Sequence, residues 1–180
     1  YTALGTFSGV LSVAANTQHS ITGAMSWSHP AQTKGTSYIA GWAGAPNLTV
    51  HGGMYRPVSG SSIVMSLPSG VTNNAKLTIA DGGLETIVTP SPVYAMRIQS
   101  PAKVSIAAPQ KLSIVNATGE VKATLNAGTG ANQRTLAACG LIIPDTSTPD
   151  PFDGKGEGYY LVTPVGETQQ RSGKVVLSGN

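Results

Sequence analysis

Three histidines, eight acids and a single cysteine are the residues of this 180-residue chain best equipped for chemistry. His19, His29 and His51 stand at no metal-ligand spacing. None has a partner two or four residues away, where a strand or helix would place two ligands on one face. No G-x-S-x-G turn supports a nucleophilic serine, so Ser20 beside His19 and Ser28 beside His29 read as neighbours in a serine-rich sequence. Gly154-Lys155-Gly156-Glu157-Gly158 is glycine-rich, but no helix follows it to cradle a phosphate. Cys139, alone, makes neither an intrachain disulfide nor a cysteine metal site, and its setting, Leu136 to Ile142, predicts a buried thiol. Asp145, Asp150, Asp153 and Glu157 gather in the segment 144–158. Oxygen ligands on a flexible loop suit calcium, but the spacing is not that of an EF-hand and Pro149 and Pro151 interrupt it, so a solvated acidic loop is expected. No catalytic residue, metal or cofactor is expected. Tyr38 and Trp42 form a candidate aromatic platform for a sugar ring or receptor, and Trp27 is expected in the core.

Charge narrows the partners. Eleven cations against eight anions give +3, and the cations are scattered from Lys34 to Lys174. Nucleic acid wants a basic face, so none is expected as a partner. No apolar run approaches the ~20 residues that cross a bilayer as a helix. Nothing in the first residues reads as a signal peptide, which leaves a mature, truncated or never-exported chain as the expectations. Only 11% of residues are charged while 40% are hydrophobic. That is too apolar for a disordered tail and too poor in charge for a coiled coil.

The elements that would position these residues are strands. Apolar residues alternate in Phe7–Val13, Leu48–Val50, Ile63–Leu67, Leu77–Ile79, Tyr94–Ile98, Val104–Ile106, Leu112–Ile114, Val121–Leu125 and Val175–Leu177. A period of two means one face buried and one wet, as in antiparallel sheets. Turn signals recur roughly every ten residues, among them Pro68-Ser69-Gly70, Asp81-Gly82-Gly83 and Asn116-Ala117-Thr118-Gly119. This cadence predicts an all-β sandwich or barrel with Greek-key connections. One short helical turn is expected within 132–139. Long loops are expected over 29–46 and 144–158, and no internal repeat is legible.

The first strand carries the most information about function. Gly5, Phe7, Gly9, Leu11 and Val13 share one face of an extended segment, followed by polar residues 16–20. Such a strand either pairs within its own sheet or adds to the edge of another chain's sheet, where the backbone supplies the ladder and alternate side chains fill a groove. On these residues the chain resembles the chaperone–usher fimbrial subunits, the pilins, and among them the major subunits of adhesive fimbriae of enterotoxigenic bacteria. Ile21 to Ser28 is similar to a pilin first strand and Arg171 to Ser178 to a last one. The family's disulfide and its penultimate aromatic residue are absent.

The resemblance implies an immunoglobulin-like antiparallel β-sandwich, incomplete in one subunit and completed by a neighbour's N-terminal strand. Residues 1–18 would be the donor extension and 19–180 the pilin domain. The implied function is a structural, non-enzymatic subunit of an extracellular fimbria that supports adhesion. Its partners would be identical subunits in a helical filament, a periplasmic chaperone and an outer-membrane usher during assembly, and a host glycan or receptor. Two other readings fit the same composition: a carbohydrate- or receptor-binding β-sandwich, and a coat or tail protein of a virus or phage.

Overall fold

The computed structural model describes residues 5–15, 19–34, 41, 47–86, 88, 91–150 and 152–180. They form an all-β, antiparallel structure of two sheets. The smaller sheet contains β1 (Thr6–Val13), β2 (Ile21–Ser28) and β3 (Asn47–Gly52) in that order. The larger contains β4 (Ala75–Asp81), β5 (Val93–Gln99), β6 (Lys103–Ile106), β7 (Lys111–Val115), β8 (Glu120–Ala127), β9 (Arg134–Pro144), β10 (Gly154–Val162) and β11 (Arg171–Gly179). Its order is β6-β5-β4-β11-β10-β9-β8-β7.

Every neighbour in the larger sheet is consecutive in sequence except β4 and β11, which bring its first and last strands together. The sheet curls until its edge strands β6 and β7 lie side by side, joined by residues 107–110 rather than by a hydrogen-bonded ladder, which makes a near-barrel. This is a meander, and the Greek-key crossing expected of an immunoglobulin-like sandwich does not occur in it. Strands of this sheet that follow one another in sequence stand side by side, so no connection has to cross a sheet end.

Alternation explains the core. Leu77 and Ile79 of β4, Met96 and Ile98 of β5, Leu125 of β8, Leu136 of β9, Tyr160 of β10 and Leu177 of β11 all point inward and are fully buried. Side chains of this size each contribute about 1.5–3 kcal/mol on burial. The segment from Val58 to Leu67 packs into the Ala75 end of β4, and Leu84 into the Asp81 end. Ile63, Met65 and Leu67, expected in a strand, belong to a buried connection with a 3₁₀ turn at Val64–Ser66. Met65 there has φ 63°, a left-handed value no strand accommodates. Alternation in this segment signals burial and not hydrogen-bond pairing.

Two further corrections come from β9 and β10. The helical turn expected within 132–139 is a 3₁₀ turn at Gly130–Asn132, after which Arg134 opens β9. The loop expected over 144–158 is only residues 145–153, because Gly154 to Gly158 already belong to β10. Gly140 and Gly158 face each other across the ladder, and a Cβ on either would strike the opposite strand's carbonyl oxygen. The glycines let the two strands approach, Gly158 among them although it falls in the segment expected as loop. Cys139 follows from this register. Leu136 and Ala138 point inward, so Cys139 takes the outward face and is half-buried, not a core thiol.

The buried polar groups pin the barrel. Asn74 donates to the carbonyls of Pro68 (3.0 Å) and Ile98 (2.8 Å) and accepts the Ile98 N–H (2.8 Å). The Tyr160 hydroxyl donates to the Asp81 carbonyl at 2.6 Å, and the Tyr160 ring occupies space that only a glycine at 173 leaves open.

Candidate functional site: the N-terminal sheet

β1 pairs with β2 from Thr6↔Ser28 to Val13↔Ile21, and β2 pairs with β3 from Ile21↔Gly52 to Ser26↔Asn47. This register sorts side chains onto two faces. One holds Phe7, Gly9, Leu11 and Val13 of β1; Ile21, Gly23, Met25 and Trp27 of β2; and Leu48, Val50 and Gly52 of β3. No charged residue lies on it. The other holds Thr6, Ser8, Ser12, Thr22, Ser26, Ser28, Asn47, Thr49 and His51, with Val10 and Ala24 among them. Side-chain bonds Thr6–Ser28 (2.8 Å) and Ser26–Asn47 (3.3 Å) run across this polar face.

The apolar face does not join the barrel's core. None of its residues belongs to the core cluster. Phe7 is 58% exposed, Leu11 48% and Val13 65%. At one end the Phe7 ring stacks on Trp27, with centroids 5.1 Å apart and planes 13° apart. Trp27 meets His29 edge to face at 5.8 Å. Trp27, expected in the core, is therefore half-buried at one end of this face, as are Ile21, Met25, Leu48 and Val50 along it. His29 itself is buried, its Nδ1 lies 2.9 Å from the Pro30 carbonyl, and its Nε2 contacts Gln32. Gly9 and Gly23 serve close approach, since a Cβ at either would strike the carbonyl oxygen of Ala24 or Val10.

Of the residues expected to make subunit contacts, Phe7, Gly9, Leu11 and Val13 do share one face. Gly5, at φ 119°, sits just before β1 against Ser28. Tyr38 and Trp42, the candidate receptor contacts, lie outside the described residues. Sequence reasoning stopped at β1 and missed that β2 and β3 extend the same face. The signal was available: Ile21, Gly23, Met25 and Trp27 alternate with Thr22, Ala24, Ser26 and Ser28.

The sheet is tied to the barrel through its last strand and the residues after it. His51 Nε2 lies 2.8 Å from Glu157 Oε2 of β10, and Lys155 Nζ lies 2.8 Å from Glu157 Oε1. The hydrogen bond from Lys155 holds the Glu157 carboxyl below its ordinary pKa, with His51 adding to it against the opposing effect of burial. Farther along, Tyr55 packs on Gly119, and Val58 exchanges two backbone bonds with the Asn116 amide.

The acidic loop has a local use for its carboxylates. Asp145 accepts from the N–H and hydroxyl of Ser147, which lower its pKa. Asp150 accepts from the Ser66 hydroxyl and the Phe152 N–H, with the same consequence. Asp153 accepts from the Gly154 N–H. Among the described residues, no three His, Cys, Asp or Glu side chains come together as a metal site.

Among the described residues, a cleft of about 790 Å³ opens at the Asp81 end of the barrel between residues 81–85 and 166–172. Glu167 and Arg171 form an ion pair on its wall (2.8 Å). Asp81 there holds φ 65°, a left-handed value uncommon outside glycine.

No protein-family model matches the chain, and no curated protein or solved structure shows significant similarity to it.

Proposed function

We propose that the chain is a structural, non-enzymatic subunit of an extracellular surface fibre, and that the N-terminal sheet joins it to identical subunits. The observation that carries this reading is the eleven-position apolar face of β1–β3, which stands outside the barrel's core. A sheet needs its apolar face covered, and large exposed apolar patches mark interaction surfaces. In this version the incomplete half of a sandwich is the sheet β1–β3, and a neighbouring subunit completes it. Among the described residues β1 pairs with β2 alone, and an edge strand of that kind is the template for strand addition. During export a periplasmic chaperone would cover the same face until an outer-membrane usher exchanges it for the next subunit. The low charge of the surface fits such packing, because stacked copies meet little like-charge repulsion.

Negative-stain imaging of the purified chain beside a variant lacking residues 1–15 tests the proposal. Fibres are expected from the full chain and none from the deletion, with the far-ultraviolet circular dichroism of the barrel retained. Fibres of normal length from the deletion, or a full chain that stays monomeric at high concentration, would overturn it.

A further inference from the structure

We infer that a serine-rimmed pocket at the Ala75 end of the barrel binds a small neutral polyhydroxylated molecule, a single sugar ring or a polyol of that size. The site is separate from the N-terminal sheet, and the inference does not depend on the subunit reading. The pocket, of about 250 Å³, opens between the segment 61–69 and the loop that holds Asp150. Ser61, Ser62, Ser66 and Ser69 bring hydroxyls to it, and Asp150 a carboxylate. Ile63, Leu67 and Phe152 form its apolar part. Among the described residues no Lys, Arg or His lines it. The local backbone builds the rim. Ile63, Val64, Met65 and Leu67 are buried, and among them Met65 and Ser66 take consecutive left-handed values, φ 63° and 48°. Two such non-glycine residues in a row are held at a cost, and strain of this kind gathers at binding sites. Here it leaves Ser66 exposed between buried neighbours, and its hydroxyl donates to Asp150 Oδ2 at 2.5 Å. Asp150 Oδ1 accepts the Phe152 N–H at 2.9 Å.

The chemistry of the rim selects the ligand. A serine hydroxyl both donates and accepts, whereas a carboxylate only accepts. Such a rim suits a molecule that carries hydroxyls of its own. An anion would meet Asp150 with no cation in the lining to offset it. An ammonium group would offer the serine donors no acceptor, and Asp150 already holds two donors. Small-molecule sites combine apolar walls with a few placed polar groups in about 300–1,000 Å³. A pocket just below that range takes one ring, with its C–H face on Phe152 and Leu67. A second observation points the same way. A much smaller cavity, lined by Tyr55, Val58, Val64, Met65 and Ile142, shares Phe152 with the first. The Tyr55 hydroxyl is buried and has no hydrogen-bond partner among the described residues, whereas buried polar groups are nearly always paired. Because Phe152 lines both cavities, a turn of its ring would open the smaller into the larger and bring a ligand oxygen to that hydroxyl.

Saturation-transfer NMR on the full chain tests this. The probes are the methyl α-pyranosides of glucose, galactose and mannose, with glucosamine and glucuronate as charged comparisons. Transfer to the ring protons of at least one neutral glycoside is expected, with a Kd of roughly 1–10 mM for so small a ligand. Asp150→Asn and Tyr55→Phe are each expected to weaken binding about tenfold, the loss of one hydrogen bond. Tyr55→Phe removes an unpaired buried hydroxyl, so its thermal midpoint is expected to stay level or rise, which separates lost binding from lost fold. No transfer to any neutral glycoside well above that concentration range would overturn the inference. So would transfer confined to glucosamine or to glucuronate, or binding indifferent to both substitutions. Binding weakened by Asp150→Asn but not by Tyr55→Phe would uphold the outer pocket and overturn the part assigned to Tyr55.

Discussion

The meanders β1–β2–β3 and β8–β9–β10 are one design in two environments. Both alternate apolar and polar residues, both begin after a glycine with a left-handed φ, and both use glycines where strands crowd: Gly9 and Gly23 in the first, Gly140 and Gly158 in the second. One lends its inward residues to a core built with β4, β5 and β11; the other keeps Phe7, Leu11 and Val13 at the surface. The amino-acid pattern that makes a strand amphipathic does not say what will cover it. Coverage is a property of the fold, and for β1–β3, under the proposed function, of the assembly.

Truncating the equivalent leucines should separate the two meanders most sharply. Leu125→Ala, in a fully buried position, is expected to cost about 2–5 kcal/mol of barrel stability in urea unfolding. Leu11→Ala, at a surface position of the isolated chain, is expected to cost no more than about 0.5 kcal/mol there. Equal losses would mean that both faces belong to one core, and the contrast would disappear.

Position 160 sharpens the comparison. Tyr160 of β10 stands where Leu48 stands in β3. Burial, and then the nearby charges of Asp81 and Glu85, push the Tyr160 hydroxyl up to about 12. The folded state holds this proton more tightly than the unfolded chain, whose tyrosines titrate near 10. The resulting stability is fully present below pH 10 and is lost as pH rises toward 12, on the order of 2 kcal/mol. Alkaline unfolding followed by circular dichroism should show this slope, and Tyr160→Phe should reduce it.

The smallest expected effect concerns the tie between the two regions. Because Lys155 and His51 lower the Glu157 pKa from 4.5, its contribution is present above that value and lost as pH falls through the lower folded value. Acid titration of Glu157→Gln should therefore show a shallower loss of stability below about pH 4.5 than the parent chain, while Asp145 and Asp150 keep their own contributions. An unchanged acid limb would remove this contact from the forces that hold β3 against the barrel.

Much of this was legible in the residues, and the exceptions share a cause. Alternation located most strands and their inward faces, because period two is a local property. It misplaced Ile63 to Leu67, where burial occurs without a ladder, and it took Gly154 to Gly158 for loop because glycine signals both flexibility and close approach. The pairing of β4 with β11 left no local trace: Leu77 and Leu177 face each other across a hundred residues of chain. At the candidate site, Phe7, Leu11 and Val13 announced an apolar strand, but whether it pairs within the chain depends on β2 having a free edge beside it.

The pairing of β4 with β11 also sets a schedule. During synthesis β4 to β10 can form hairpin by hairpin, each strand finding the one made just before it. β4 keeps one edge unpaired until Gly179 has left the ribosome, and the barrel closes only then. For that interval an open apolar trough and the open sheet β1–β3 coexist on one nascent chain. Growing chains are therefore most exposed to one another just before the last strand arrives.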